Sequence, residues 1–371
     1  MRIAINCRSI LLTQRTGIGR YTYHLLDSLG AIDHSSEYIL HVPKRLFDFK
    51  RRLPDFSRYK NFKSRLDVFR RGVGKSDVYH LPCPDRIGPY EGRLVVTIHD
   101  LIHRAFPKSQ TAQATEITEG YIQDIVSKAD GIICTSDNTR RVLHAFFNIP
   151  PEKTCVVYSG VDHQKFHPLS SQERLEASSS LKTLGVDKPF ILYVGTIEPR
   201  KNLIGLLESF ALLKARKAFY GQLVVAGMKG WMVENIEGVV KKLALEKDVV
   251  FTGFVSDDQL RQLYGMTELF VFPSFYEGFG FPILEAFCCG AAVVSSNTSS
   301  CAEIAQQSAV TIYPSDTKAM AQAMEQVLTD KTLKGALQKA GLKRAQEFSL
   351  ARTALETLNV YQKFGLKGES S

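Results

Sequence analysis

Residues 275–286 read FYEGFGFPILEA, which sets Glu277 and Glu285 eight positions apart around two glycines and a proline. Carboxylates accept hydrogen bonds from neighbouring hydroxyls, so at this spacing one acid can hold a sugar and the other a ribose. The apolar run LFVFPS (269–274) reads as a strand and Pro282 suits the first position of a helix, which makes 278–281 a strand-to-helix turn. Gly278 and Gly280 let backbone N–H groups approach a ligand closely, and the helix start adds partial positive charge that suits phosphate or sugar oxygens. Glu285 is expected in the first turn of that helix, where the helix dipole alone favours a carboxylate by about 0.3–1 kcal/mol.

A second cluster lies in VGTIEPRKN (194–202), where a strand runs into a glycine and Arg200 and Lys201 stand at a helix entrance. Two cations beside free N–H groups neutralise a diphosphate, each charged hydrogen bond contributing about 1.5–3 kcal/mol. A leaving nucleoside diphosphate gains charge as its bond to carbon breaks, so the same cations lower the barrier. The plainer alternative is a basic helix start in solvent. TGIGRY (16–21) opens a helix after the first strand, and Gly17 and Gly19 permit close phosphate approach, but the third spaced glycine and the acid of a dinucleotide fingerprint are missing. GVGKS (72–76) is no P-loop, because Phe69 stands where the first glycine is needed and the strand-like DVYHLP follows instead of a helix. VVTIHD (95–100) ends a strand with His99 and Asp100 at its carboxyl edge, where function concentrates in doubly wound sheets. His99 reads as a sugar-binding histidine or as a structural cap; a metal site from His99, Asp100 and His103 lacks helical spacing, and no metal is expected.

These residues need a scaffold of strands and crossover helices. Short β-branched or apolar runs alternate with helical periods along the chain, the pattern of parallel sheets. Strands are expected at 2–6, 37–42, 94–98, 131–135, 155–158, 190–195, 222–227, 248–253, 269–274 and 291–296, and a helix over 202–216 with Leu203, Leu206, Leu207, Phe210 and Leu213 on one face. Ten strands exceed one ordinary sheet. The polar, serine-rich segment 163–186 marks the break, which predicts two doubly wound α/β domains facing a central cleft.

At 371 residues and 44% hydrophobic content the chain suits two globular domains. It has no run of about 18 apolar residues, and Asn6 and Arg8 interrupt any signal-peptide core, so a cytoplasmic location is expected. Seven cysteines without a CxxC pair read as free, mostly buried thiols. The net charge of +9 is concentrated between Lys44 and Lys75, where twelve Lys or Arg face three acids. Interleaved with Leu46, Phe47, Phe49, Leu53, Phe56, Tyr59, Phe62, Leu66 and Phe69, this segment reads either as a solvated basic helix and loop or as a surface for anionic lipid headgroups. Nucleic-acid binding has no accompanying motif.

Together, TGIGRY, TIHD, TSDNTR (135–140), VGTIEPRKN, FTGFVSDDQL (251–260) and FPSFYEGFGFP follow the order seen in retaining glycosyltransferase family 4, and Glu277 with Glu285 resembles its E-x7-E motif. The likeness covers nearly the full chain. It implies a GT-B fold of two Rossmann-like domains, with residues 1–170 on the acceptor side, 186–345 holding a nucleotide sugar, and 346–371 a helix that crosses back to the first domain. It implies that Glu277 contacts the transferred sugar together with the backbone of Gly278, Phe279 and Gly280, that Glu285 holds ribose hydroxyls, and that Lys201 holds the diphosphate. By the same likeness Gly17 and Gly19 meet phosphates, His99 meets the sugar, and Phe254 and Val255 meet the base. Many members carry an arginine directly after the glycine that is Gly195 here, where this chain has Thr196, which leaves Arg200 or Lys201 to supply that charge. Members with TGIGRY and EPRKN resemble bacterial mannosyltransferases of surface-polysaccharide assembly. The implied reaction is metal-independent, retaining transfer of mannose from GDP-mannose to a glycan or lipid-linked acceptor at the inner membrane face. A nucleotide-sugar epimerase of the same fold and a basic nucleic-acid-binding protein are the alternatives.

Overall fold

The computed structural model describes residues 1–11, 17–43, 52–68, 71–85, 88–107, 112–230 and 236–365. Contacts divide the chain into two compact units, Met1–Gly160 with Leu350–Ser371, and Val161–Ser349.

The first unit is built on a seven-stranded sheet of order β3-β2-β1-β4-β5-β6-β7. Its strands are β1 (Arg2–Asn6), β2 (Glu37–Pro43), β3 (Phe62–Asp67), β4 (Lys75–Leu81), β5 (Glu91–Ile98), β6 (Gly131–Cys134) and β7 (Thr154–Val156), all paired in parallel. The second unit carries a six-stranded parallel sheet of order β10-β9-β8-β11-β12-β13. These strands are β8 (Phe190–Val194), β9 (Gln222–Ala226), β10 (Val249–Gly253), β11 (Leu269–Phe272), β12 (Val293–Ser296) and β13 (Val310–Ile312). Helices cover both faces of such sheets, which is why runs such as LFVF of β11 are buried at every position. The helix Leu203–Ala215 lays Leu203, Leu206, Leu207, Phe210 and Leu213 into the second core, as its period predicts.

In each sheet the strand order reverses direction at one place, between β1 and β4 in the first and between β8 and β11 in the second. At such a switch the two outgoing connections run to opposite sides and leave a crevice beyond the carboxyl ends of the strands.

Three expectations need correction. The basic segment, read as a helix and loop, contains a strand: residues 44–51 and 69–70 lie outside the described residues, while 62–67 form β3, which pairs with β2 from Tyr38↔Phe62 to Pro43↔Asp67. β3 is an edge strand with Lys63, Ser64, Arg65 and Leu66 exposed, so its charges guard an open edge against further pairing. The segment 163–186 is not itself the break, which falls just before it at Gly160/Val161. It contains the helix Ser171–Lys182, capped reciprocally by Ser170 and Glu173, and it belongs to the second unit. The first unit accordingly ends at Gly160 and not at 170, and the chain returns to it at Leu350. The helix Leu350–Gly365 buries Thr353, Ala354, Thr357, Val360, Tyr361 and Phe364. Thr353 Oγ1 donates to the Tyr158 carbonyl at 2.8 Å, and the Tyr361 hydroxyl lies 2.7 Å from His80 Nδ1.

Candidate active site

The second unit brings Arg200, Lys201 and Glu277 together at its switch. β8 ends at Val194, and the chain passes from Gly195 through the short 3-10 turn Pro199–Lys201 into the helix Leu203–Ala215, so Arg200 and Lys201 stand beyond the carboxyl end of β8. Asn202 joins turn to helix in the left-handed region (φ 56°) and donates from Nδ2 to the Pro314 carbonyl at 2.6 Å. β11 ends at Phe272, and the loop to the helix Phe281–Cys288 carries Glu277 to the same edge. The two strands on either side of the switch thus deliver opposite charges to one point. Lys201 Nζ donates to Glu277 Oε1 at 2.6 Å, and Arg200 Nη1 lies 2.8 Å from Glu277 Oε2. Arg200 Nη1 also donates to the Tyr276 carbonyl at 2.7 Å, and its Nη2 pairs with Glu198. Lys201 Nζ lies over the Phe272 ring, 4.9 Å from its centroid.

Glu198, Lys201 and Glu277 are buried, at 6%, 8% and 8% exposure. Burial alone would raise the Glu277 pKa, but the charges of Lys201 and Arg200 and the Lys201 hydrogen bond outweigh it and hold the carboxyl below the usual glutamate range. The main chain of Glu277 is gripped as well. Its N–H donates to Ser299 Oγ at 3.0 Å, and its carbonyl accepts from Ser300 Oγ at 2.8 Å. Ser299 itself has a left-handed φ of 52°.

The turn after Glu277 enters the helix one residue earlier than expected, with Phe281 and not Pro282 in the first helical position. Gly280 is the helix N-cap at φ 116°, and Pro282 follows in the first turn, with Gly278 half-buried and Phe279 packed edge-on against Phe281 at 5.0 Å. Glu285 departs from expectation: it lies in the second turn of Phe281–Cys288, past the reach of the helix-start dipole, buried and accepting from the Tyr264 hydroxyl at 3.1 Å. The other predicted residues of this unit line the same sheet edge. Thr196 is exposed directly after Gly195, Phe254 is 71% exposed just past β10, and Val255 is half-buried beside it. A glycine is required at 227, after β9, because a Cβ there would lie 2.0 Å from the Gly195 carbonyl oxygen.

In the first unit Gly17 and Gly19 form the first turn of the helix Gly17–Ile32, and a Cβ on Gly17 would meet only open space. His99 directly follows β5. Its Nε2 lies 2.8 Å from the Pro82 carbonyl, which can only accept, so Nε2 carries the proton and Nδ1 of the neutral ring is an acceptor. Burial pushes the His99 pKa below its ordinary value, and Tyr21 stands edge-on to the ring at 4.7 Å. The TSDNTR stretch supports this residue, since Thr135 and Thr139 donate to the His99 carbonyl at 3.0 and 3.2 Å. Asp100 instead accepts from the Ile102 N–H at 3.1 Å, and His103 Nε2 lies 2.9 Å from Glu119.

Sequence reasoning missed Glu198, Tyr264, Ser299 and Ser300. Glu198 lies inside the quoted TIEPRKN stretch, two positions before Arg200, and was legible as a counterion for it; the serines carry no local signal, because their partner is twenty-two residues away in the case of Ser299.

Two doubly wound units, each a parallel sheet with one reversal of strand order, are the plan of a GT-B fold. Residues 178–344 match the family model for glycosyl transferases group 1, and residues 15–165 that for glycosyltransferase family 4. The chain is 29% identical over 372 residues to O-antigen chain mannosyltransferase B of Escherichia coli, covering 94% of this chain and 96% of that protein. It is 31% identical over 308 residues to an uncharacterised glycosyltransferase of Methanocaldococcus jannaschii, covering 78% of this chain and 76% of that one. Among solved structures, Anabaena HepE in complex with UDP-glucose superposes with a TM-score of 0.72 at 16% identity, covering 98% of this chain and 100% of that one. The chain belongs to glycosyltransferase family 4 and has the GT-B fold.

Proposed function

We propose that this glycosyltransferase moves mannose from GDP-mannose to a glycan or lipid-linked acceptor in surface-polysaccharide assembly, with retention at the anomeric carbon and without a metal ion. The observation that carries this reading is the buried Glu277 carboxylate held between Lys201 and Arg200 at the β8/β11 switch. The sugar assignment draws on the likeness to the O-antigen mannosyltransferase.

In this reading Glu277 accepts hydrogen bonds from hydroxyls of the transferred sugar while Lys201 and Arg200 face the diphosphate. The bond between the anomeric carbon and the diphosphate oxygen breaks, and the diphosphate leaves with the electron pair. Lys201 has three N–H donors, so it can keep one on Glu277 and turn another to the departing oxygen. The acceptor hydroxyl attacks from the same face, and its proton passes to the departing phosphate. Glu285 takes the ribose, the exposed ring of Phe254 takes the base with Val255, and His99 Nδ1 accepts from a sugar hydroxyl. Thr196 leaves the charge of the missing arginine to Arg200 and Lys201.

The enzyme works at the cytoplasmic face of the membrane, with the basic segment 44–75 on anionic headgroups. Exposed Lys63, Arg65 and Leu66 on β3 support that contact. No helix among the described residues is long and apolar enough to cross a membrane. Flotation with anionic vesicles is expected to fail when Arg51, Arg52, Arg70 and Arg71 are neutralised; unchanged flotation removes the membrane role.

A screen of GDP- and UDP-sugars with a mannosylated acceptor, read by NMR of the product anomer, tests the reaction. Transfer from GDP-mannose with an axial product bond, undiminished by EDTA, is expected. Transfer from another donor replaces the sugar assignment, and isomerised donor without acceptor indicates an epimerase. Glu277→Ala and Lys201→Ala are each expected to lower kcat by about 10²–10³.

A further inference from the structure

We propose that Glu198 is a positioning residue for Glu277, acting through Arg200. This rests on the function proposed above for Glu277.

The geometry is an alternating row of acid, base, acid, base. Glu198 pairs with Arg200 Nη2, Arg200 Nη1 reaches Glu277 Oε2 at 2.8 Å, and Lys201 Nζ holds Glu277 Oε1 at 2.6 Å. Arg200 is the joint of the row. Its planar fork also fastens the Tyr276 carbonyl at 2.7 Å, and its own carbonyl accepts the Phe275 N–H at 2.9 Å, so one residue of the β8 loop fixes three successive residues of the β11 loop. A flexible arginine gives that service only if its far nitrogen is anchored, because two rotatable ends would let the guanidinium swing toward solvent or toward an incoming anion. Glu198 supplies the anchor. Its main chain does the same for Lys201, whose N–H donates to the Glu198 carbonyl at 3.0 Å.

Charge alone does not explain a second buried acid here. A site that receives a diphosphate gains from positive potential, and a 6% exposed glutamate beside Arg200 subtracts from it. The arrangement makes sense as a trade of some attraction for a Glu277 carboxylate held in one orientation. Two further titratable neighbours of Glu277 are Tyr193, pushed well up by burial and by the Glu277 charge, and Cys301, pushed up to about 12 by burial, so both stay neutral.

The experiment compares Glu198→Met, which keeps the length without an oxygen, with Glu198→Gln, which keeps an acceptor oxygen without the charge. Transfer kinetics are measured together with the titration of the Glu277 side-chain carboxyl by 13C NMR, its signal assigned by its loss in Glu277→Gln. Glu198→Met is expected to lower kcat by about tenfold with a much smaller change in donor KM. It is also expected to move the Glu277 titration upward, since an unanchored Arg200 no longer holds the carboxylate. Glu198→Gln restores both towards wild type. A folded Glu198→Met protein with unchanged kcat overturns the proposal, as does a Glu277 titration that stays put or moves downward, the direction expected when only a neighbouring negative charge is removed. If Glu198→Met fails to fold, Glu198→Ala, which leaves room for water, is read against the same outcomes. A wild-type chain that transfers no sugar from any nucleotide donor defeats the reaction assigned above, while the Glu277 titration still decides the role of Glu198.

Discussion

The Glu277 carboxylate, the group proposed to meet the sugar, also bears on the resting fold. It is buried and its pKa is depressed, because two cations stabilise the ionised form by more than burial opposes it. A depressed folded pKa means that the stabilisation is present above the ordinary glutamate pKa and is lost as pH falls through the depressed value, where the folded carboxylate at last takes its proton. Glu277→Gln is therefore expected to destabilise the second unit by about 1.5–3 kcal/mol at neutral pH, the worth of a charged hydrogen bond. The difference from wild type should close at acid pH. Urea unfolding of both proteins along a pH series checks this, and a gap that persists in acid would assign the loss to packing. Arg200 and Lys201 buffer the effect, since Arg200 keeps Glu198 and Lys201 keeps its place over Phe272.

At the level of elements, two glycines that look alike in sequence separate by backbone. Gly280 caps its helix at φ 116°, a conformation a side chain resists even though a Cβ would meet only ordinary contacts with Ile283 and Ile304. Gly280→Ala should cost about 1–2 kcal/mol. Gly335 sits inside the helix Lys331–Ala345 with open space where a Cβ would go, so Gly335→Ala should stabilise by about 0.5–1 kcal/mol. Opposite shifts in thermal midpoint are the check, and shifts of one sign would refute the backbone argument. The same contrast explains what could be read ahead of the structure. The buried strands β8, β9, β11 and β12 announced themselves as apolar runs because parallel sheets hide both faces. β3 did not, since an edge strand with four exposed positions has neither a run nor an alternation to show, and β13 is only three residues long. The helix Ser171–Lys182 buries only Ala177 and Leu181, so its sequence reads as a polar break; the S-x-x-E box at Ser170 is the signal that finds it. Glu277, Lys201 and Arg200 were legible because motif and topology agree, whereas the second-turn position of Glu285 depended on where the helix begins.

For the whole molecule, the double crossing of the chain makes the two units unequal in acid. The first unit holds His80 with no exposure, between the Tyr361 hydroxyl at 2.7 Å on Nδ1 and Thr97 Oγ1 at 2.9 Å on Nε2. Burial, aided by the charge of His99, lowers its pKa to about 3. His41, buried against Asp67 and Tyr79, and His99 are lowered as well, and both belong to the same unit. An unfolded histidine takes up a proton near pH 6.5 while folded His80 refuses one until about 3, so the stabilisation is complete above pH 6.5 and drains away between those values. The slope for one such group is about 1.4 kcal/mol per pH unit. Acidification from neutral pH should therefore release the first unit before the second, because the returning helix Leu350–Gly365 that satisfies His80 unfolds with it. Pulse proteolysis along a pH series, with mass spectrometry of the fragments, should give peptides from Met1–Gly160 and from 350–365 at a higher pH than peptides from Val161–Ser349. His80→Gln should flatten that acid slope whatever it does to stability at neutral pH. Earlier release of the second unit, or a slope that His80→Gln leaves unchanged, would show that the buried imidazole does not govern the first unit's response to acid.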